Sequence, residues 1–155
     1  MATTHMRRLT ADEVRLNVDQ LLELQHRAYA LEAELIGDDR IPPLHETATD
    51  LISSGLEWIA TFDEQQIIGA VGYSVDHGVL DLDRLMISPM HRRKGLGAAL
   101  VTEVISLASQ TIVSTGRENT PARALYESLG FTHESDFEPI PGLWVSQYSR
   151  SSSVR

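Results

Sequence analysis

Between Val18 and Ile36 the apolar residues Leu21, Leu24, Ala28, Leu31 and Leu35 recur at steps of three and four. That spacing predicts an amphipathic helix with one apolar stripe. Gly37-Asp38-Asp39 ends it, and Pro42 and Pro43 forbid its continuation, since proline lacks a backbone N–H and restricts the residue before it. Glu46 to Ser54 predicts a second, shorter helix closed by Gly55. The period then changes. Glu57 to Phe62, Ile67 to Val75 and Val79 to Ser88 are rich in strand formers and are separated by the turns Asp63-Glu64-Gln65 and Asp76-His77-Gly78. They predict an antiparallel meander, with Gly69 and Gly72 marking close packing or a bulge in its middle strand. Pro89 stops the third strand. Gly95 to Gln110 returns to helical spacing, with Leu96, Leu100, Val104, Leu107 and Ala108 on one face. Thr111 to Ser114 is a short strand. Thr120 is a cap candidate for a further helix with Pro121 at its first position, and Gly130 closes it. Phe131 to Phe137 and Leu143 to Ser149 predict a last hairpin, and Met6 to Thr10 a short first strand.

This order, helices then meander then helix, strand, helix and hairpin, is α/β of the α+β type. The strand–helix–strand crossover in the middle requires at least one parallel pair. The expected sheet is therefore mixed, mostly antiparallel, and flanked by helices. One domain over residues 6–149 is expected, with a flexible leader at 1–5 and a Ser-rich, disordered tail at 150–155.

The chain has 155 residues, 42% of them hydrophobic and 23% charged, enough for one ordinary core. The formal charge of −9 argues against nucleic acid or an anionic membrane as partner, and favours a cationic small molecule or basic peptide. No apolar run is long enough to span a bilayer, and the first residues lack a secretory pattern, so a cytoplasmic protein is expected. There is no cysteine, which excludes disulfides, thiolate metal sites and a cysteine nucleophile. The six histidines are scattered without metal-ligand spacing, so no metal is expected.

Against this acidic background the basic run Arg92-Arg93-Lys94 stands out. It lies between the end of a strand, Leu85-Met86-Ile87, and a helix opening on Gly95-Leu96-Gly97-Ala98. The free N–H groups and positive dipole end of such a helix make an anion site, and its glycines let phosphate oxygens approach the backbone. The pattern of a phosphate-binding G-x-x-x-x-G-K-[ST] loop is absent. A dinucleotide fingerprint fails where it needs a third small residue, because that position is Leu100, and the preceding strands are antiparallel.

Arg92-Arg93-Lys94-Gly95-Leu96-Gly97 after a strand and a proline turn resembles the pyrophosphate-binding motif of the GNAT superfamily of N-acetyltransferases. Asn119-Thr-Pro-Ala122-Arg-Ala-Leu-Tyr126-Glu-Ser-Leu-Gly130-Phe131 resembles that family's second motif, Asn-x-x-Ala-x-x-x-Tyr-x-x-x-Gly-Phe. The resemblance extends to the order of elements from the first strand to the last hairpin. It implies transfer of an acetyl group from acetyl-coenzyme A to a primary amine by direct attack in a ternary complex. It also implies that Arg92, Arg93, Lys94, Gly95, Leu96, Gly97 and Ala98 hold the coenzyme A pyrophosphate, that Leu85, Met86 and Ile87 lie along the pantetheine arm on a strand splayed from its parallel neighbour, and that Asn119 and Tyr126 face the coenzyme. Tyr126 is then the general acid that protonates the leaving thiolate, a role that suits a positioned phenol. The plain alternative for Tyr126 is a packed helix tyrosine, and for Asn119 a helix cap. The resemblance is compatible with a homodimer.

An acceptor amine with a pKa near 10 is mostly protonated at pH 7, so a base is needed. Asp81 and Asp83 are the candidates, expected on one face with Leu80, Leu82 and Arg84 opposite. Their plain alternative is a solvated face or a partner for Arg84, and Glu57 is a weaker candidate. The segments expected to choose the acceptor run from Leu35 to His45 and from Asp136 to Tyr148. The competing reading from another class is a catalytically idle acyl-CoA-binding regulatory module.

Overall fold

In the computed structural model, which describes residues 4–152, the chain forms β1 (Thr4–Leu9), α1 (Ala11–Leu16), α2 (Val18–Ile36), α3 (Ala48–Ile52), β2 (Glu57–Asp63), β3 (Gln66–Asp76), β4 (Val79–Ile87), α4 (Leu96–Ile105), β5 (Gln110–Gly116), α5 (Thr120–Ser128), β6 (Thr132–Ile140) and β7 (Leu143–Ser151). The strands make one seven-stranded sheet in the order β1-β2-β3-β4-β5-β7-β6. Every neighbouring pair is antiparallel except β4 with β5. No helix of the described residues is long and apolar enough to cross a membrane.

Each face of the sheet carries its own core. On one side Leu80, Leu82, Val71, Val113 and Phe131 meet Leu100, Val101 and Val104 of α4. On the other, Trp58, Ala60, Phe62 and Met86 meet Leu21 and Leu24 of α2 and Leu51 of α3. Strand β2 is covered on both faces, which explains its nearly unbroken apolar run. Gly72 is required by the second core: a Cβ there would lie 2.8 Å from the Trp58 ring.

The expected alternation along β4 is broken. Gly72 pairs with Arg84 and Tyr73 with Leu82, so Asp83 is an extra residue in the ladder, a β-bulge. The bulge keeps Leu85 and Ile87 on the same face as Leu80 and Leu82 and sends Met86 to the α2 side. Arg84 is therefore not grouped with Leu80 and Leu82. Its guanidinium donates to Glu46 at 2.9 Å, and Glu46 in turn accepts from the buried Gln25 of α2 at 2.7 Å. Gln25 also donates to the Pro43 carbonyl, so this chain of contacts fixes the Pro42–Leu44 turn beside α2.

Beyond the bulge the sheet opens. Strands β4 and β5 pair only from Val79↔Gln110 to Leu82↔Val113. Past that point β4 stays on β3 through Gly69↔Ile87, and β5 stays on β7 through Gly116↔Val145. The seam between them parts while both half-sheets remain intact, as the family resemblance implies.

Several boundaries differ from expectation for local reasons. Helix α3 begins at Ala48, because Thr47 and Asp50 form a capping box. Helix α4 stops at Ile105, and β5 runs on to Gly116. The cap of α5 is Asn119, whose side chain accepts from Ala122 N–H at 3.2 Å, so Thr120 lies inside the helix. Thr4 and His5 of the expected leader pair with Asp63 and Phe62, and Arg150 and Ser151 of the expected tail pair with Thr111 and Gln110. The rest of the leader, residues 1–3, and residues 153–155 of the tail lie outside the described residues.

Candidate active site

Two cavities meet where β4 and β5 part. The first is a groove of about 470 Å³ between α2, the end of β4, and the starts of α4 and α5. The second is a chamber of about 200 Å³ between α2, the Ile41–Pro43 turn, β5 and β7. Glu32, Leu85, Asn119 and Ala122 line both.

The groove ends at the first turn of α4. Gly95 precedes the helix in the left-handed region, φ 77°, and Arg93 is left-handed too, φ 65°. This path places the first turn of α4 in the wall of the groove. Thr10, Thr47 and Asn119 cap α1, α3 and α5 with their side chains; no side chain caps α4. Such donors are left for water or an anion. Arg92, Arg93, Gly95, Leu96, Gly97 and Ala98 line the groove. Lys94 is exposed and outside the lining, and none of the three cations forms an ion pair among the described residues. These residues fit a diphosphate linkage. Leu85 and Ile87 form the wall, whereas the Met86 side chain is buried on the opposite face of the sheet.

The far wall of the groove is Ala28, Leu31, Glu32 and Leu35 of α2. Leu31 and Leu35 continue the apolar stripe of α2, yet Leu35 is 47% exposed. The N-terminal half of the stripe is core and the C-terminal half is cavity wall. His91, not singled out from the sequence, also lines the groove, and its buried Nδ1 has no partner.

The chamber holds the polar groups. Tyr126 is buried against Phe131 and Tyr148, with ring centroids at 5.4 and 6.2 Å, and lines the chamber beside Tyr29, Glu32 and Asp83. Burial pushes its phenol well above the usual value, and nearby Tyr29 and Glu32 add to the shift. Tyr29 stands in the parted seam, where its hydroxyl accepts from Leu85 N–H at 3.4 Å. Its pKa is raised by burial first and by Glu32 second. Asp83 lines the chamber, while Asp81 does not. Burial raises the carboxyl pKa of both; Glu46 adds to the shift at Asp83, and Asp83 adds to that at Asp81. Glu57 lies outside both cavities, paired with Arg8 at 2.5 Å.

Asn119 has two structural tasks at once. Besides capping α5 it donates to Glu32 Oε1 at 2.7 Å, and Thr115 Oγ1 donates to the same oxygen at 2.9 Å. Glu32 and Tyr29 went unnoticed in the sequence, where each looks like one residue of an ordinary helix. The signal available was their place on the α2 turns just before Gly37, next to a stripe that outlasts the core.

The segments expected to choose the acceptor both reach the chamber, through Ile36, Ile41, Pro42 and Pro43 on one side and Leu143 and Val145 on the other. Arg40 joins them by donating to the Pro141 carbonyl at 3.0 Å while paired with Asp38. In the groove, replacing Arg92 and Arg93 together by glutamate is expected to weaken coenzyme A binding by about tenfold at low salt, and by less as ionic strength rises. Calorimetry at two salt concentrations measures this; unchanged affinity would leave the backbone donors as the sole anion grip.

Comparison with known proteins agrees with this geometry. The sequence model described as "Acetyltransferase (GNAT) family" matches residues 18–131. The chain is 33% identical over 132 residues to the UPF0157 protein YqkA of Bacillus subtilis, covering 83% of this chain and 38% of that protein. It is 36% identical over 85 residues to N-acetyltransferase 8 of Homo sapiens, covering 48% of this chain and 37% of that one. It thus spans well under half the length of these relatives. The solved structure of the PaiA N-acetyltransferase of Thermoplasma acidophilum, in complex with coenzyme A, superposes with a TM-score of 0.72 at 14% identity, covering 94% of this chain and 98% of that one. The parted β4–β5 seam, the uncapped α4 and the family match together show that this chain belongs to the GNAT family of acetyltransferases.

Proposed function

We propose that the chain transfers an acetyl group from acetyl-coenzyme A to a primary amine by direct attack in a ternary complex. One observation carries the reading: a groove ending on uncapped helix N–H groups opens into a separate chamber holding a buried phenol and carboxylates. Two ligands that meet in line need two adjoining cavities.

Acetyl-coenzyme A supplies an acetyl group on a good leaving group, a thiolate. The α4 N–H groups, with Arg92 and Arg93, hold its diphosphate. The edge of β4 that β5 has left offers backbone groups to the pantetheine arm. Tyr126 Oη carries the proton that the departing sulfur requires, and its raised pKa keeps that proton in place well into alkaline pH. Asp83, in the chamber and with its pKa raised toward neutrality, is the better placed of the two candidate bases. Asp81 reaches the reaction only through Asp83 or solvent.

The signs of these shifts predict the pH profile. With amine saturating, kcat should rise as Asp83 loses its proton, at a pH above the ordinary carboxylate value of about 4. It should then stay level, with no fall from Tyr126 below about pH 10. Thiol release across an amine panel, repeated with Asp83→Asn, tests both points. Loss of the acid limb in the variant is expected. A limb that persists unchanged moves the base elsewhere, with Asp81→Asn as the next variant. Coenzyme binding without turnover on any amine would favour a non-catalytic binding module.

A further inference from the structure

The chamber's lining names the kind of amine it accepts. Among the described residues its only charged side chains are Glu32 and Asp83, and it has no lysine, arginine or histidine. Outside the lining, Arg84 is paired with Glu46, Arg40 with Asp38, and Arg117 lies over the Trp144 ring. The remaining wall is largely apolar, with Ile36, Ile41, Pro43, Leu143 and Val145 closing around about 200 Å³.

Glu32 has the better geometry for a cation. Both of its donors, Thr115 and Asn119, reach Oε1. Among the described residues no donor reaches Oε2. The two bonds fix the carboxylate where groove and chamber join, with one oxygen left open to an ammonium group. No other carboxylate lines both cavities.

Resting on the reading of the site as an acetyltransferase centre, we propose that Glu32 Oε2 seats the acceptor's ammonium group, and that the chamber selects a primary amine on an apolar body and rejects acceptors bearing a carboxylate. An ammonium ion in this chamber gains a charge-assisted hydrogen bond, and its apolar body loses water against Ile41, Pro43 and Leu143. A carboxylate brought with the amine would meet two negative groups and no cationic side chain in the lining.

The test is calorimetric titration of phenylethylamine, n-butylamine and aspartate into the protein saturated with coenzyme A, for wild type and Glu32→Gln. The glutamine keeps an oxygen for Thr115 and Asn119, so the fold is preserved while the charge is removed. Wild type should bind both apolar amines and not aspartate. In Glu32→Gln the amines should bind at least about tenfold more weakly, with the melting temperature unchanged. A purely structural Glu32 would instead lower the melting temperature and leave the amines alone. Equal amine affinity in the variant, aspartate bound as well as the amines, or no amine bound by the coenzyme complex would each overturn the proposal. Failure of the wild type to bind coenzyme A would strike the acetyltransferase reading itself.

Discussion

Replacing Tyr126 with phenylalanine is expected to lower turnover by about 10²- to 10⁴-fold, the range for loss of a positioned general acid. Coenzyme A affinity should stay within about twofold, because Tyr126 lines the chamber and not the groove proposed for the coenzyme. Stability should change little, because the ring keeps its contacts with Phe131 and Tyr148. A fall in kcat with unchanged coenzyme binding identifies an interaction made only as the bond to sulfur breaks. Turnover equal to wild type would reduce Tyr126 to a packed helix tyrosine.

The second large effect is expected at Gly97, with opposite signs for binding and stability. A Cβ at Gly97 meets only the flexible ends of Leu125, Ile87 and Leu85, at 3.4 to 3.9 Å. Gly97→Asp is therefore sterically tolerated. It replaces glycine inside a helix by a residue of slightly better helix propensity, a gain of roughly 0.3 kcal/mol. It also sets a negative charge in the first helical turn, where an acid contributes about 0.3–1 kcal/mol. The melting temperature should hold or rise. The same carboxylate occupies the anion seat and repels a diphosphate, so coenzyme A affinity should fall by about a hundredfold, or about 2.7 kcal/mol. Thermal melts and calorimetry on one preparation check both signs. Undiminished coenzyme affinity would remove the α4 terminus as the anion site.

That Arg92, Arg93 and the Gly95 helix start come together was legible in the sequence because they are adjacent, and the helix start follows from glycine and periodicity within ten residues. That Tyr126 and Asn119 share a cavity was legible from their spacing of two helical turns. The alternation of β4 misled at Asp83, because a bulge is a property of the register with β3, which is not visible in residues 79–87. Glu32 escaped because its meaning depends on Thr115 and Asn119, more than eighty residues away. The apolar stripe of α2 does not itself tell core from cavity at Leu31 and Leu35, because a stripe that faces a groove has the same spacing as one that faces a sheet. Arg150 and Ser151 were assigned to the tail by composition, whereas pairing with β5 holds them in the sheet.

The most direct measurement is isothermal titration of coenzyme A into the unmodified protein. Saturable binding at one site, weakened by Gly97→Asp and insensitive to Tyr126→Phe, is the predicted result. Absence of any heat or thermal stabilisation with coenzyme A or acetyl-coenzyme A would contradict the account, leaving the parted sheet without the ligand it is argued to hold.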